Sequence, residues 1–217
     1  MKRFILSLVV LLFCAPVFAQ LEQGQHIIGG RLGIGFQLEN SGISYPTDNR
    51  VDWGTTGAEY SLFYYYLVTR HIGLGTDIAY GDFDGGDFFV PVNKVDDKTR
   101  FLNLMLSVKL IANPSNAFRL YMPVGIGLTI VNQDMYINRN GVNFANKATD
   151  CSLGWFVGTG FEFDIGDSGW AMGFETRYNS FRYETEKLVR NAPSGVTGHG
   201  NRHMSYVSLH VQVNKRF

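Results

Sequence analysis

Residues 205–217 read SYVSLHVQVNKRF, and the fold follows from how this stretch alternates. Val207, Leu209, Val211 and Val213 alternate with Ser208, His210, Gln212 and Asn214, and Phe217 falls on the apolar parity. A period of two marks a strand with one apolar and one polar face. Chain ends of ordinary domains are frayed and polar. A strand that stays apolar on one face up to Phe217 must be paired along its whole length.

The same alternation recurs upstream. His26–Leu38 sets Ile28, Gly30, Leu32, Ile34 and Phe36 against Gly29, Arg31, Gly33 and Gly35. Further strands are expected over Gly57–Leu67, His71–Gly81, Arg100–Ile111, Ala117–Ile130, Ser152–Ile165 and Gly169–Phe181. With the closing strand that makes eight. The connections alternate in length. Short ones fall at 68–70, 112–116 and 166–168, and long ones at 39–56, 82–99, 131–151 and 182–202. Strict segregation of this kind predicts an all-β, eight-stranded antiparallel up-and-down barrel with one trimmed rim and one elaborate rim.

Which face points inward is decided by the polar parity. It carries Arg31, Glu59, Asp77, Lys109, Arg119, Glu162, Glu175 and Arg177, four basic and four acidic, interspersed with glycines. Inside a narrow barrel, glycines make room for long charged side chains that pair with one another. The apolar parity then faces lipid over spans of about 9–11 residues, the length a tilted strand needs. Tyr64, Tyr66, Phe118, Phe163, Trp170 and Phe217 gather at the short-turn rim, and Tyr80, Trp155 and Tyr178 near the other, as two interfacial girdles. The competing arrangement is a secreted barrel with the leucines inside.

The remaining composition is consistent with export. Lys2 and Arg3 precede the apolar run Phe4–Phe13, and Val17-Phe18-Ala19 fits a cleavage site, so residues 1–19 read as a secretory signal and residues 20–217 as the mature barrel. Only Cys151 then remains, which excludes an internal disulfide and receives no role. Nineteen basic and nineteen acidic residues leave no basic field for nucleic acid. No cofactor is expected.

The pattern resembles the small eight-stranded outer-membrane β-barrel proteins: the OmpA transmembrane domain and the OmpX-, opacity- and OmpW-type barrels. The shared features are the export signal, the eight alternating strands, the four long outer loops and the terminal aromatic. The resemblance implies residence in the bacterial outer membrane, contact with its lipid, and long loops that face outside to meet an extracellular ligand. It also implies a closing-strand signal, here Val207, Leu209, Val211, Val213 and Phe217, read by the barrel-assembly machinery. Lys215 departs from the apolar parity at a place where a lysine would snorkel to the interface. OmpW-type relatives imply a port for small hydrophobic compounds.

Chemistry has few places to reside. His203-Met204-Ser205 resembles the His-x-Ser pair of outer-membrane lipid A deacylases, but no acid follows Ser205, so Glu184 or Glu186 would have to orient the imidazole. His199 and His203 lack further zinc ligands. Asp82, Asp84, Asp87, Asp96 and Asp97 make an acidic loop without calcium-loop spacing, so no metal site is expected. The expected role is structural or surface-interactive (adhesin-like) and non-enzymatic. A narrow channel or port is the alternative, and a lipid A hydrolase comes third.

Overall fold

The computed structural model describes residues 21–38, 43–44, 56–84, 88–90, 93–139, 142–184, 186–187, 190, 197–198 and 201–217. The export signal assigned to residues 1–19 lies outside the described residues. Eight long strands account for most of the rest: β1 His26–Gln37, β2 Thr56–Thr69, β3 Ile72–Asp84, β4 Asn93–Ile111, β5 Phe118–Arg139, β6 Val142–Ile165, β7 Trp170–Glu184 and β8 Asn201–Arg216. Each pairs antiparallel with the next, and β8 pairs with β1 from Arg216↔Ile27 to Tyr206↔Gln37. The sheet is therefore a closed ring with no edge around its waist, the arrangement that the closing strand required. His26 N–H donates to the Phe217 carbonyl at 3.1 Å, and Phe217 N–H donates back to His26 at 3.0 Å, so pairing reaches the last residue.

The faces sort as the alternation predicts. Leu62 and Leu106, each 69% exposed, head a belt of outward leucines, isoleucines, valines and aromatics. The inward parity holds every one of the eight charged residues singled out above, none more than 5% exposed. A belt of this size could not face water in a monomer, where the largest apolar patch is about 300–600 Å². The inside-out alternative, with leucines lining a ligand cavity, is thereby excluded.

The inner glycines do make room, but for aromatic rings more than for the long charged side chains expected. A Cβ on Gly81 would lie 2.1 Å from the Phe101 ring, one on Gly125 2.3 Å from Phe156, and one on Gly29 2.3 Å from Phe63. In each case the ring comes from the strand next door. Pro123 sits within β5, where it cannot donate to a ladder. The β5–β6 pairing accordingly skips from Tyr121↔Gly160 to Val124↔Val157.

The trimmed rim is made of tight turns. Asn113 closes its turn with its own side chain: Nδ2 donates to the Phe118 carbonyl at 2.6 Å, and Oδ1 accepts from Leu120 N–H at 2.7 Å. The 166–169 turn depends on Gly166 and Gly169 at φ +60° and +77°.

The other rim departs from the expected loops. Within 131–151 every described residue is strand, paired in register from Val131↔Asp150 to Arg139↔Val142. Likewise, in the stretch expected as loop 82–99, Asn93–Thr99 belongs to β4 and Phe88–Val90 pairs with Asn93–Val95. These stretches break the alternation that marks a span: Val131 and Met135 put apolar side chains on the inward parity, opposite to the outward leucines and isoleucines below, and Phe88-Phe89-Val90 is apolar throughout. They are strands because their neighbours in the barrel continue into them. The outer connections around 43–44 and 197–198 meet in a two-residue ladder, Thr197↔Ser44 and Gly198↔Ile43.

Candidate functional site: the barrel interior and its projecting rim

The interior is filled in storeys. At the short-turn end, Leu21 is fully buried with Ile27, Phe63, Tyr65, Leu67, Ile111 and Tyr121. It is tied there by its N–H to the Pro114 carbonyl at 3.0 Å, so the segment before β1 closes this mouth.

Within that end lies a five-membered charge cluster. Glu162 accepts from Lys109 Nζ at 2.6 Å and from Arg119 Nε at 3.0 Å. Arg119 also grips Asp164 with both terminal nitrogens, one at 2.8 Å, and Arg216 Nη2 reaches the same carboxylate at 2.5 Å. Asn214 Nδ2 adds a bond to Glu162 at 3.2 Å. Lys109 also lies 4.0 Å from the Tyr121 ring centroid.

A second cluster crosses the middle. Asp77 Oδ2 accepts from Arg31 and, at 2.7 Å, from Arg177 Nη2. Glu175 Oε1 accepts from Arg177 Nε and lies 3.3 Å from Arg31 Nε. Two arginines and two carboxylates thus form a neutral ring. Phe63 and Phe156 flank it, each ring centroid 4.0 Å from a guanidinium carbon, Arg31 over the first and Arg177 over the second. Above it, Glu59 and His210 approach to 3.3 Å on either side of Gly33. The outer end is closed by Phe83, Phe101, Val131, Phe181, Tyr183, Met204 and Tyr206, all at most 2% exposed.

Seven of the eight predicted charged residues therefore do come together, in two clusters: Lys109, Arg119 and Glu162 in one, Arg31, Asp77, Glu175 and Arg177 in the other. Glu59 stands apart with His210. Asp164, Arg216 and His210 were not singled out, although parity marks them: Asp164 shares it with Glu162, and Arg216 and His210 share it with Asn214. A charge network of this sort, with apolar layers above and below, ties the strands of the wall to one another.

The projecting rim is the other candidate. β6 pairs with β7 only from Gly154↔Phe181 onward, and β7 turns instead to β8 through Tyr183↔Arg202 and Glu184↔Asn201. Val142–Leu153 therefore pairs with β5 alone among the described residues, with no described strand on its other edge. Side chains bridge that gap: Ser152 Oγ donates to the Arg182 carbonyl at 2.6 Å, and Asn146 Nδ2 donates to the Lys187 carbonyl at 3.1 Å. Lys187 stands 2.7 Å from Glu184, and that bond, with the charge of Asp150, raises the Lys187 amine above its ordinary value. Charge pairs also lace the sheet below. Asp134 binds Arg100 at 3.1 Å and Lys147 at 3.3 Å, and Asp82 binds Lys98 at 3.1 Å. Free Cys151 is exposed on this edge.

The acidic-loop expectation dissolves here. Asp96 and Asp97 lie on β4, paired with Tyr136 and Met135, and Asp82 is engaged by Lys98, while Asp87 lies outside the described residues. His199 also lies outside them. The Ser–His reading meets a chemical obstacle. His203 is exposed, but its Nε2 accepts from Arg182 Nε at 3.2 Å, across the Arg182↔His203 pair. Catalysis needs a carboxylate to steady the imidazole and favour its charged form. The structure supplies a guanidinium, and Glu184 is turned to Lys187.

On the outer surface the girdle aromatics face outward, Phe118 and Tyr178 half-buried and the others exposed, with the Trp155 and Tyr178 rings tilted against each other at 5.5 Å. Lys215 bends to the rim, where Nζ donates to the Ser168 carbonyl and lies 5.5 Å from the Trp170 ring centroid.

A closed eight-stranded barrel, charged within and apolar without, defines a transmembrane β-barrel protein. Residues 5–217 match the family model of the outer membrane protein beta-barrel domain, and the chain belongs to that family. It is a protein of the bacterial outer membrane, and its outward belt is the surface that meets lipid. In structure it is similar to the outer membrane protein OprG of Pseudomonas aeruginosa, with 16% identity, a TM-score of 0.52, and coverage of 92% of this chain and 99% of that one. It is also similar to Ail, the attachment invasion locus protein of Yersinia pestis (13% identity, TM-score 0.49, coverage 90% and 99%). A third is the outer membrane protease OmpT of Escherichia coli (10%, 0.49, 89% and 97%). No curated protein matches the chain in sequence. Likeness at these identities concerns the fold, and activity has to be argued from the site.

Proposed function

We propose that this barrel is a membrane-anchored platform for surface interaction, presenting the β5–β6 hairpin to partners outside the cell. The observation that carries this reading is the edge of Val142–Leu153, which among the described residues pairs with β5 alone, beyond the point where pairing with β7 ends. Unpaired N–H and C=O groups on an edge are what an extended segment of another protein pairs with. The short turns then face the periplasm and the long rim faces out. The closing-strand residues Val207, Leu209, Val211, Val213 and Phe217 all face lipid, a disposition compatible with their reading as an assembly signal.

The test shortens the hairpin in register. Asn132 and Thr149 are cross-strand partners, bonded through their side chains at 2.7 Å. Joining them through an Asn-Gly turn removes the tip while keeping the barrel. The expected product is still heat-modifiable on a gel, unheated against boiled. Cells or envelope fragments carrying it lose adherence to extracellular-matrix and serum proteins that the full chain binds. Unchanged adherence would sink this reading, as would failure of the full chain to adhere at all. The runner-up, an axial pore, predicts steady single-channel conductance in planar bilayers. The filled interior predicts none. For the enzyme reading, Ser205→Ala is expected to leave the acyl content of lipid A unchanged, which mass spectrometry of extracted lipid A reads directly.

A further inference from the structure

We propose that a groove centred on Gly30, on the lipid-facing wall, is a specific seat for one acyl chain of a membrane lipid. Of the glycines in the eight long strands, Gly30 is the one that points outward. The others face in, and at most of them a Cβ would collide with a neighbour. A Cβ on Gly30 would meet nothing nearer than Leu62 Cδ2 and the Ser61 carbonyl, both at 3.6 Å. The inner glycines are spoken for by the side chains packed over them. This one leaves a hole.

The hole lies within the belt and is bounded by two hydrogen-bonded rows. One row runs Val213, Gly30, Leu62, Ile78. The next runs Val211, Leu32, Tyr60, Tyr80. Between them is a cavity of about 640 Å³ that crosses five strands, from β8 to β4. Its walls are aliphatic side chains and two tyrosine rings, and its floor is the backbone of β1 and β2. Rows perpendicular to tilted strands run obliquely through the membrane, so the groove follows a path that a lipid chain can lie along. No charged group projects from the outer face into it. The occupant follows from continuity: this wall is the lipid interface of an outer-membrane barrel, and hydrocarbon is what the interface meets. A chain in the groove touches protein on three sides instead of one. Dispersion contacts are individually small but add, and they favour the seat by roughly three- to tenfold over the flat wall.

The full chain would be folded into phosphatidylcholine vesicles containing a small fraction of a phospholipid with a mid-chain diazirine. After irradiation, adducts would be mapped by mass spectrometry. Leu32, Leu62 and Val213 are expected to be labelled roughly three- to tenfold more than Leu106, Ile126 and Leu128 on the opposite wall. Gly30→Leu fills the hole and is expected to bring the two sets to parity, with the heat-modifiable band retained, and Gly30→Ala to fall between. Even labelling of the wild-type wall would overturn the proposal. So would enrichment that survives Gly30→Leu. Cross-links from the groove to a second copy of the chain, without lipid enrichment, would replace the acyl chain by a dimer contact and overturn it equally.

Discussion

Arg177→Met is expected to lower the unfolding free energy of the barrel by about 3–5 kcal/mol. The arginine neutralises Asp77 and Glu175 at once, and its guanidinium lies 4.0 Å from the Phe156 ring centroid. Its side chain is 2% exposed, and those of Asp77 and Glu175 are 1% and 0%. Methionine keeps the volume and the contact with Phe156 but leaves two carboxylates to share Arg31. A buried charge without a partner costs far more than an intact pair contributes. Replacing one charge of each sign should therefore recover most of the loss. In Arg177→Met with Glu175→Met, Arg31 and Asp77 remain as a closed pair, and the double-mutant cycle is expected to show strong coupling. Urea unfolding in vesicles reads both variants and Glu175→Met, the single substitution that completes the cycle. Lys187→Met, which removes the exposed pair with Glu184, is expected to leave the transition where it was. If Arg177→Met behaved like Lys187→Met, the ring would be decoration rather than the tie across the wall.

The second large effect is a contrast between two glycines that composition alone cannot tell apart. Gly127→Ala is expected to destabilise by about 1–3 kcal/mol. Its Cβ would lie 2.0 Å from the Leu104 carbonyl oxygen and 2.8 Å from Met105 Cα. Both belong to the backbone of the adjoining strand, which can retreat only by opening the ladder. Gly30→Ala is expected to be neutral or to stabilise by about 0.4–1 kcal/mol, because the new methyl meets Leu62 and Ser61 only at ordinary contact distance, 3.6 Å, and the unfolded chain loses freedom. The same urea titration decides both. Equal effects at the two sites would mean that glycines on the inner face are not there for space.

Much of this was legible in one dimension. A period of two over eight segments, alternate connection lengths and charges confined to one parity are enough for the barrel and for which face meets lipid. The projecting hairpin was not legible, and the reason is physical. Outside the lipid the outward face no longer has to be apolar, so Val131 and Met135 fall on the inward parity, opposite to the leucines of the span below, and the pattern that marks a span is interrupted. The hairpin's strand character comes from the partner strands it grows out of. His210, Asp164 and Arg216 lay on the correct parity but were passed over. Asp164 and Arg216 joined the network only when closure of the ring set β8 against β7 and β1, and Arg119 reached across to Asp164.

By itself the sequence determined the period, and with it the two faces, because side chains on a strand can only alternate. It determined the turns as well, through Asn113, Gly166 and Gly169. Partnership was left to the tertiary structure. Arg177 meets Asp77 across 100 residues of chain. No local rule links them, since which inward charges face one another depends on the stagger with which eight strands close. That same closure decided which glycines are filled by a neighbour's ring and which one, Gly30, is left open to the membrane.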